Sequence, residues 1–180
     1  VAMLAVAAVS VPPLERRIRE WHSSRELFTV ELARDPVRYW ARQMLGEMLA
    51  TDGSYSEEEA ELLRARRDAL TTHYRIDVAL CYVYLNENRL DAAVSSCRLA
   101  LAEFPVDPRA WVNLANAYLL EGHDDDALAA ATNASRYKPH YAEAAYIRAA
   151  ALHGLGRDDE ARAAVNEALQ YDPAHARARR

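Results

Sequence analysis

The fold is decided by one stretch near the middle of the chain, residues 111–139, which reads WVNLANAYLLEGHDDDALAAATNASRYKP. Its pattern recurs on both sides with a period of 34 residues, so that Pro139 has counterparts at Pro105 and Pro173. The same spacing relates Ala93, Ala127 and Ala161, and it also relates Ala100, Ala134 and Ala168. A fixed period of this length is the signature of a repeat architecture. The sequence therefore predicts three copies of one unit, at residues 74–107, 108–141 and 142–175.

Each unit has the pattern of two helices separated by a turn. Gly122 and Gly156 can adopt the left-handed conformation that ends a helix, and Asn88, at the corresponding position of the first unit, is the next-best residue for it. Acidic residues follow at 124–126 and 158–160, where carboxylates are expected to cap the free N–H groups of the second helix. The pattern predicts an all-α protein.

The middle unit resembles the tetratricopeptide repeat, a helix–turn–helix motif of the same length. The signature positions of that motif are held by Trp111, Leu114, Ala115, Tyr118, Gly122, Ala127, Ala134 and Pro139. The flanking units depart from it, with Asp77 and Ala145 at the Trp-like position and Arg148 at the Leu-like position. The resemblance implies a right-handed α-solenoid whose first helices line a concave groove, without enzymatic activity. The implied partner is a protein or an extended peptide.

The inward-facing positions of the motif define a candidate partner-binding groove. They are held by Arg75, Val78, Tyr82, Arg109, Val112, Asn113, Asn116, Glu143 and Tyr146. Asn113 and Asn116 are the preferred anchors because a side-chain amide both donates and accepts hydrogen bonds, as a ligand backbone does. The alternative is that these residues are only a solvated surface. Some relatives grip a C-terminal carboxylate with Lys, Asn and Arg, and of that set this chain has only Asn113.

The two cysteines lie in the first unit. Cys81 and Cys97 stand at its positions 8 and 24, equidistant from the turn between two antiparallel helices, so they should face each other. They form either a small packing pair or, in an oxidising compartment, a disulfide. The sequence leaves both open.

The chain before the repeats divides into three predicted segments. Residues 1–13 are an apolar stub that ends in two prolines, residues 14–34 form an amphipathic helix, and residues 35–73 form a divergent helical hairpin. An apolar stripe bordered by arginines suits a helix on a membrane surface, but it also suits docking on a neighbouring hairpin. Residues 1–34 are thus the candidate membrane contact.

A second resemblance concerns this N-terminal part. The apolar stub, the arginines after it, the segment WHSSRELF at 21–28 and the pair Asp35-Pro36 are similar to a junction in certain polytopic membrane proteins. These are O-mannosyltransferase-like glycosyltransferases, in which the junction follows the last membrane helix and precedes tetratricopeptide repeats outside the cytoplasm. The resemblance implies a periplasmic module that positions acceptor protein for a linked glycosyltransferase. Arginines beside the apolar stub favour the cytoplasmic side instead, so the compartment stays open. The excess of arginine over lysine, of which Lys138 is the single residue, indicates a GC-rich coding sequence and hence a bacterial protein.

Composition and residue spacing argue against other classes of function. The net charge of −5 argues against a nucleic-acid binder, which usually carries a basic face. The six histidines show no i, i+4 pairing with each other or with cysteine, so we predict no metal site. We find no catalytic constellation and predict no cofactor.

The C-terminal end suggests an assembly role as a third alternative. After Pro173 the chain continues only to a basic tail, residues 176–180, and no polar capping helix follows the last unit. Because such caps usually keep repeat arrays soluble, the sequence predicts either further repeats or homo-oligomers formed through the uncapped C-terminal repeat.

Overall fold

The computed structural model describes residues 55–68 and 73–179, and the regular structure within these ranges is entirely helical. The helices are α1 (Tyr55–Asp68), α2 (Tyr74–Asn86), α3 (Leu90–Glu103), α4 (Pro108–Glu121), α5 (Asp124–Tyr137), α6 (Ala142–Gly154) and α7 (Asp158–Tyr171). The predicted segments 1–13 and 14–34, and the first helix of the predicted hairpin 35–73, lie outside the described residues. None of the helices that can be described combines the length and the apolar character needed to cross a bilayer.

The chain divides into two compact units, residues 1–68 and 69–180. Helix α1 belongs to the first. It buries Leu62 and Ala65, which are three residues apart and so share one face of the helix. Arg66 and Arg67 stand in its last turn, where positive charge opposes the helix dipole.

The second unit is a row of three helical hairpins, α2/α3, α4/α5 and α6/α7. Helix α4 packs on α2 and α3, and α6 packs on α4 and α5, while the first and third of these described hairpins share no helix–helix contact. Contacts limited to neighbours are the defining property of a solenoid. The predicted all-α helical-repeat fold is confirmed.

The turns inside the hairpins need residues that tolerate a positive φ. Gly122 and Gly156 have φ of 77° and 73°, and Asn88 has φ of 57°. At the end of α4 the N–H of His123 donates to the carbonyl of Tyr118 at 2.9 Å, which satisfies one of the last free carbonyls of the helix. The predicted turn residues are confirmed.

The predicted caps of the second helices are wrong. His123 and Arg157 are the N-cap residues of α5 and α7, and neither helix has a side-chain cap. The acidic residues at 124–126 fall inside the first turn of α5, where they oppose the dipole but do not cap. A side-chain cap is found instead on α4, where Asp107 Oδ1 accepts the backbone N–H of Arg109 at 2.8 Å.

Alanine columns allow the hairpins to pack closely. The repeated alanines are all buried: Ala93, Ala100, Ala115, Ala127, Ala134, Ala149, Ala161 and Ala168. With no atoms beyond Cβ, they let the helix backbones approach each other. Larger side chains such as Leu80 and Ile147 fill the remaining space and are fully buried. Apolar residues are therefore buried in each of the three hairpins, and Ala149, Leu152, Ala161 and Ala164 form a cluster within the third.

Polar contacts join one hairpin to the next. Trp111 Nε1 on α4 donates to the carbonyl of Pro105 at 2.7 Å, which fixes α4 to the turn that closes the preceding unit. Arg98 on α3 donates to the hydroxyl oxygen of Tyr118 through Nη2 at 2.6 Å and Nε at 3.1 Å. These bonds hold the first two hairpins in one register.

The Leu-like position of the third unit is polar. Arg148 pairs with Glu167 on α7, and the same carboxylate accepts the hydroxyl of Tyr171 at 2.7 Å. A polar link between the two helices of the hairpin thus replaces the expected apolar contact.

Candidate partner-binding site

The predicted groove residues lie on α2, α4 and α6, the first helices of the three hairpins. We call the face that they share the A-helix face; it consists of Arg75, Val78, Tyr82, Arg109, Val112, Asn113, Asn116, Glu143 and Tyr146. Within each helix most of their spacings are three, four or seven residues, which places them on one side, and Asn113 directly follows Val112 at its edge. Because α2 contacts α4 and α4 contacts α6, the three parts of this face adjoin one another.

These residues are not equally accessible. Tyr82 is 44% exposed, whereas Val78 and Val112 are only 7% and 6% exposed. Asn113 and Asn116 are half-buried. The tyrosine and the amides can therefore meet a ligand, while the two valines lie beneath the surface.

The two asparagines on α4 are available for a ligand. Asn113 and Asn116 form no hydrogen bond through their side chains with the described residues, and their partial exposure leaves them open to solvent. Each amide can donate two hydrogen bonds and accept two.

A charged pair stands at the start of α4. Arg109 Nη2 lies 3.0 Å from Asp107 Oδ2, and its Nε lies 3.3 Å from Oδ1. Burial on its own would raise the pKa of the Asp107 carboxyl, but hydrogen bonds from the side chain and backbone of Arg109 hold that pKa below its usual value. Asp107 is therefore ionised at neutral pH and fixes the Arg109 guanidinium at the edge of the A-helix face.

The C-terminal segment folds back onto the third hairpin. His175 Nε2 lies 2.8 Å from Glu143 Oε2, and Arg177 Nη1 lies 2.6 Å from Glu143 Oε1. Both side chains also contact the Tyr146 ring, with the His175 ring centroid at 5.4 Å and the Arg177 guanidinium carbon at 4.6 Å. Part of the predicted basic tail, residues 176–180, thus lies on two residues of the predicted groove.

Sequence reasoning missed this contact, although the repeat period contains a signal for it. His175 stands 34 residues after Tyr141, the N-cap residue of α6, so the register of the units continues beyond α7. The Nδ1 atom of His175 accepts the backbone N–H of Ala178 at 3.2 Å, as an N-cap side chain would. Self-association through the last repeat stays a prediction.

The cysteines lie inside the first hairpin. Cys81 on α2 and Cys97 on α3 form a disulfide, with their Cα atoms 5.3 Å apart. Both residues are fully buried. Of the two alternatives left open by the sequence, the structure has the bonded one.

No cluster of three or more histidine, cysteine, aspartate or glutamate side chains with metal-binding geometry occurs among residues 55–68 and 73–179. What the A-helix face offers is aromatic, amide and charged groups. Groups of these kinds can hydrogen-bond to a ligand and stack on it.

Comparison with known proteins agrees with this architecture. The model of the family described as tetratricopeptide repeat matches residues 78–130 and 121–178, more than half of the chain. No curated protein sequence gives a significant match.

Solved structures share the fold at low sequence identity. A structure titled as YrrB, a TPR protein with an unusual peptide-binding site, is 18% identical with a TM-score of 0.71, covering 92% of this chain and 85% of its own. A crystal structure of MamA is 20% identical with a TM-score of 0.74, covering 93% of this chain and 98% of its own. TTC0263, a thermophilic TPR protein of Thermus thermophilus, is 21% identical with a TM-score of 0.67, covering 75% of each chain.

The comparisons give no support to the glycosyltransferase resemblance, whose residues at 1–36 lie outside the described ranges. The 34-residue period, the row of hairpins and the family match agree. The chain belongs to the tetratricopeptide repeat family.

Proposed function

We propose that this protein is a non-catalytic scaffold that binds a peptide or protein partner along the A-helix face. Proteins of this family typically act as interaction scaffolds. The observation that carries the proposal is the pair Asn113 and Asn116, two half-buried amides without hydrogen bonds to the described chain, at the centre of a face that bears charges at its edges.

The dimensions of the face suit a short extended segment. Packed helices lie about 8–10 Å apart, so a ligand that crosses α2, α4 and α6 spans about 20 Å. An extended chain rises about 3.3 Å per residue, and roughly six residues therefore cover that distance. The central amides of α4 would pair with the backbone of the segment, and the exposed ring of Tyr82 would pack on a side chain near one end.

Alanine substitution of the two asparagines tests the proposal. A library of fluorescein-labelled peptides is first screened against the unsubstituted chain, and the best binder serves as the probe. We expect Asn113→Ala and Asn116→Ala each to weaken its binding about fivefold to tenfold, because each removes hydrogen bonds to a ligand backbone.

Asn133→Ala is the matched control, because Asn133 is an equally half-buried asparagine on α5 of the same hairpin. Equal affinities for the probe in all four proteins would move the site off the A-helix face, and a library without binders would remove the proposed function.

The compartment is proposed on separate grounds. We propose an oxidising compartment, such as the periplasm, because a buried disulfide in a small helical hairpin persists where thiols are not kept reduced. Alkylation of free thiols during cell lysis in denaturant, which exposes the two buried cysteines, tests it: two alkylated cysteines would argue for a reducing compartment. Membrane attachment through residues 1–34 stays a prediction.

A further inference from the structure

The contact between the C-terminal segment and the third hairpin has a specific internal arrangement. The two carboxylate oxygens of Glu143 have different partners: Oε2 meets His175 and Oε1 meets Arg177. The face of the Tyr146 ring lies under the guanidinium of Arg177, with 4.6 Å between the ring centroid and the guanidinium carbon. One acidic oxygen and one aromatic face together form a pocket for a single planar cation.

The two residues of the segment differ in how firmly they are held. The His175 side chain is only 10% exposed, and both of its ring nitrogens are engaged. Nδ1 accepts the N–H of Ala178, so in the neutral ring the proton is on Nε2, which donates to Glu143. The Arg177 side chain is 46% exposed. His175 thus lines the pocket as a fixed side chain, whereas Arg177 fills the pocket and can be displaced from it.

The surroundings leave room for more than one side chain. Tyr146 also lines an open cleft of about 670 Å³ between α6 and α7, whose floor includes Ala149, Ala150 and Val165. The cleft is also lined by His153, Asp158 and Arg162, and a segment that placed a cation on Glu143 could continue into it. Arg177 and the rest of the segment 172–179 are not among the residues that line this cleft.

We propose that Glu143 and Tyr146 form a subsite for one arginine side chain of the partner, and that Arg177 occupies this subsite until the partner displaces it. The inference rests on the proposed function and names the chemistry of one position in the ligand. Arginine fits better than lysine because a guanidinium is planar, so it stacks on the tyrosine ring while it donates to the carboxylate. The resident arginine lowers the apparent affinity of the partner by the fraction of time for which it fills the subsite.

The test uses the full chain and a defined probe, a fluorescein-labelled nonapeptide with the sequence of residues 172–180, DPAHARARR. We expect the probe to bind the Arg177→Gln chain several-fold more tightly than the unsubstituted chain, because the internal competitor has lost its charge. Adding Glu143→Gln to that chain should weaken binding roughly tenfold. A probe with lysine in place of the arginine that corresponds to Arg177 should also bind more weakly.

Controls separate this inference from misfolding and from the wider proposal. Glu160→Gln removes an exposed carboxylate from α7 of the same hairpin and should leave binding of the probe unchanged, and circular dichroism checks that each variant keeps its helices. Equal affinity of the unsubstituted and Arg177→Gln chains for the probe, or an affinity indifferent to Glu143→Gln, overturns the inference. If Asn113→Ala still weakens the binding of library peptides, the proposed function remains supported although the arginine subsite is wrong.

Light scattering on the same samples tests whether a second copy of this chain, rather than a partner, binds at the subsite of Glu143 and Tyr146. The Arg177→Gln chain is expected to have the same mass as the unsubstituted chain at every concentration. A mass that rises more steeply with concentration in the Arg177→Gln chain would assign the vacated subsite to a second copy of this chain and overturn the assignment to a partner.

Discussion

Breaking the Cys81–Cys97 disulfide is expected to destabilise the helical repeats by about 3 kcal/mol. The bond closes a loop with a sequence separation of 16 residues. In the chain-entropy model the cross-link removes about 2.1 + 1.5R ln n cal/mol/K from the unfolded ensemble, and with n near 16 this amounts to about 3 kcal/mol at 25 °C. Both cysteines are fully buried in the folded hairpin, and we expect little change in the hairpin itself when the bond is reduced.

Urea unfolding followed by circular dichroism, with and without reductant, measures this difference. At a typical slope of about 1–3 kcal/mol/M, the midpoint should fall by about 1–3 M when the bond is reduced. Intact-mass analysis after alkylation establishes the redox state of every sample. The Cys81→Ala/Cys97→Ala double variant is the control, since reductant should not move its midpoint.

Coincident midpoints for samples of verified redox state would refute the reasoning. They would mean that α2 and α3 stay close in the unfolded ensemble, so that the cross-link restricts nothing. Two alkylated thiols in protein prepared without reductant would instead refute the bond itself.

Two further predictions concern the start and the end of α4. Gly122→Ala should lower the free energy of unfolding by about 1 kcal/mol in urea titrations, because its φ of 77° disfavours a Cβ although nothing lies within 4 Å of one. Gly122→Asn should cost less, since Asn88 adopts φ of 57° at the equivalent position, and equal losses in the two variants would contradict the φ argument. Asp107→Asn keeps an amide cap but removes the charge, so it should destabilise the protein at pH 7. The folded-state pKa of Asp107 is lowered. The stabilisation by the carboxylate is therefore present above the unfolded pKa of about 3.9 and disappears as pH falls through the folded pKa. Urea midpoints of the two proteins should therefore converge in acid, and a constant gap between pH 7 and pH 3 would contradict the assignment.

The repeat period was enough to predict the helical architecture because it is a local property of the sequence. Glycine at positions 122 and 156 predicts a turn in each of these units, since few other residues accept a positive φ. The position of the cysteines relative to the turn likewise predicted that they face each other. Whether the sulfurs bond depends on geometry and redox conditions that spacing does not contain.

The caps and the C-terminal contact needed information that spacing lacks. A run of acids at 124–126 has the composition of a cap, but a shift of one residue in the start of the helix makes His123 the N-cap residue. The contacts of Glu143 with His175 and Arg177 join residues more than 30 apart in sequence. They arise only once α6 and α7 have packed and brought the end of the chain back to the start of α6. In the same way, Val78 and Val112 fit the inward positions of the motif, but packing covers them.

The disulfide also makes the row of hairpins unequal from end to end. Its covalent link lies in the first hairpin, while the segment that contacts the third hairpin is held by the polar contacts of His175 and Arg177 with Glu143. Amide hydrogen exchange should therefore be slower in α2 and α3, which the bond joins, than in α6 and α7. A partner bound at Glu143 and Tyr146 would then stabilise the hairpin that opens most readily. Its binding would be measured as slower amide hydrogen exchange in α6 and α7, the hairpin farthest along the row from the disulfide.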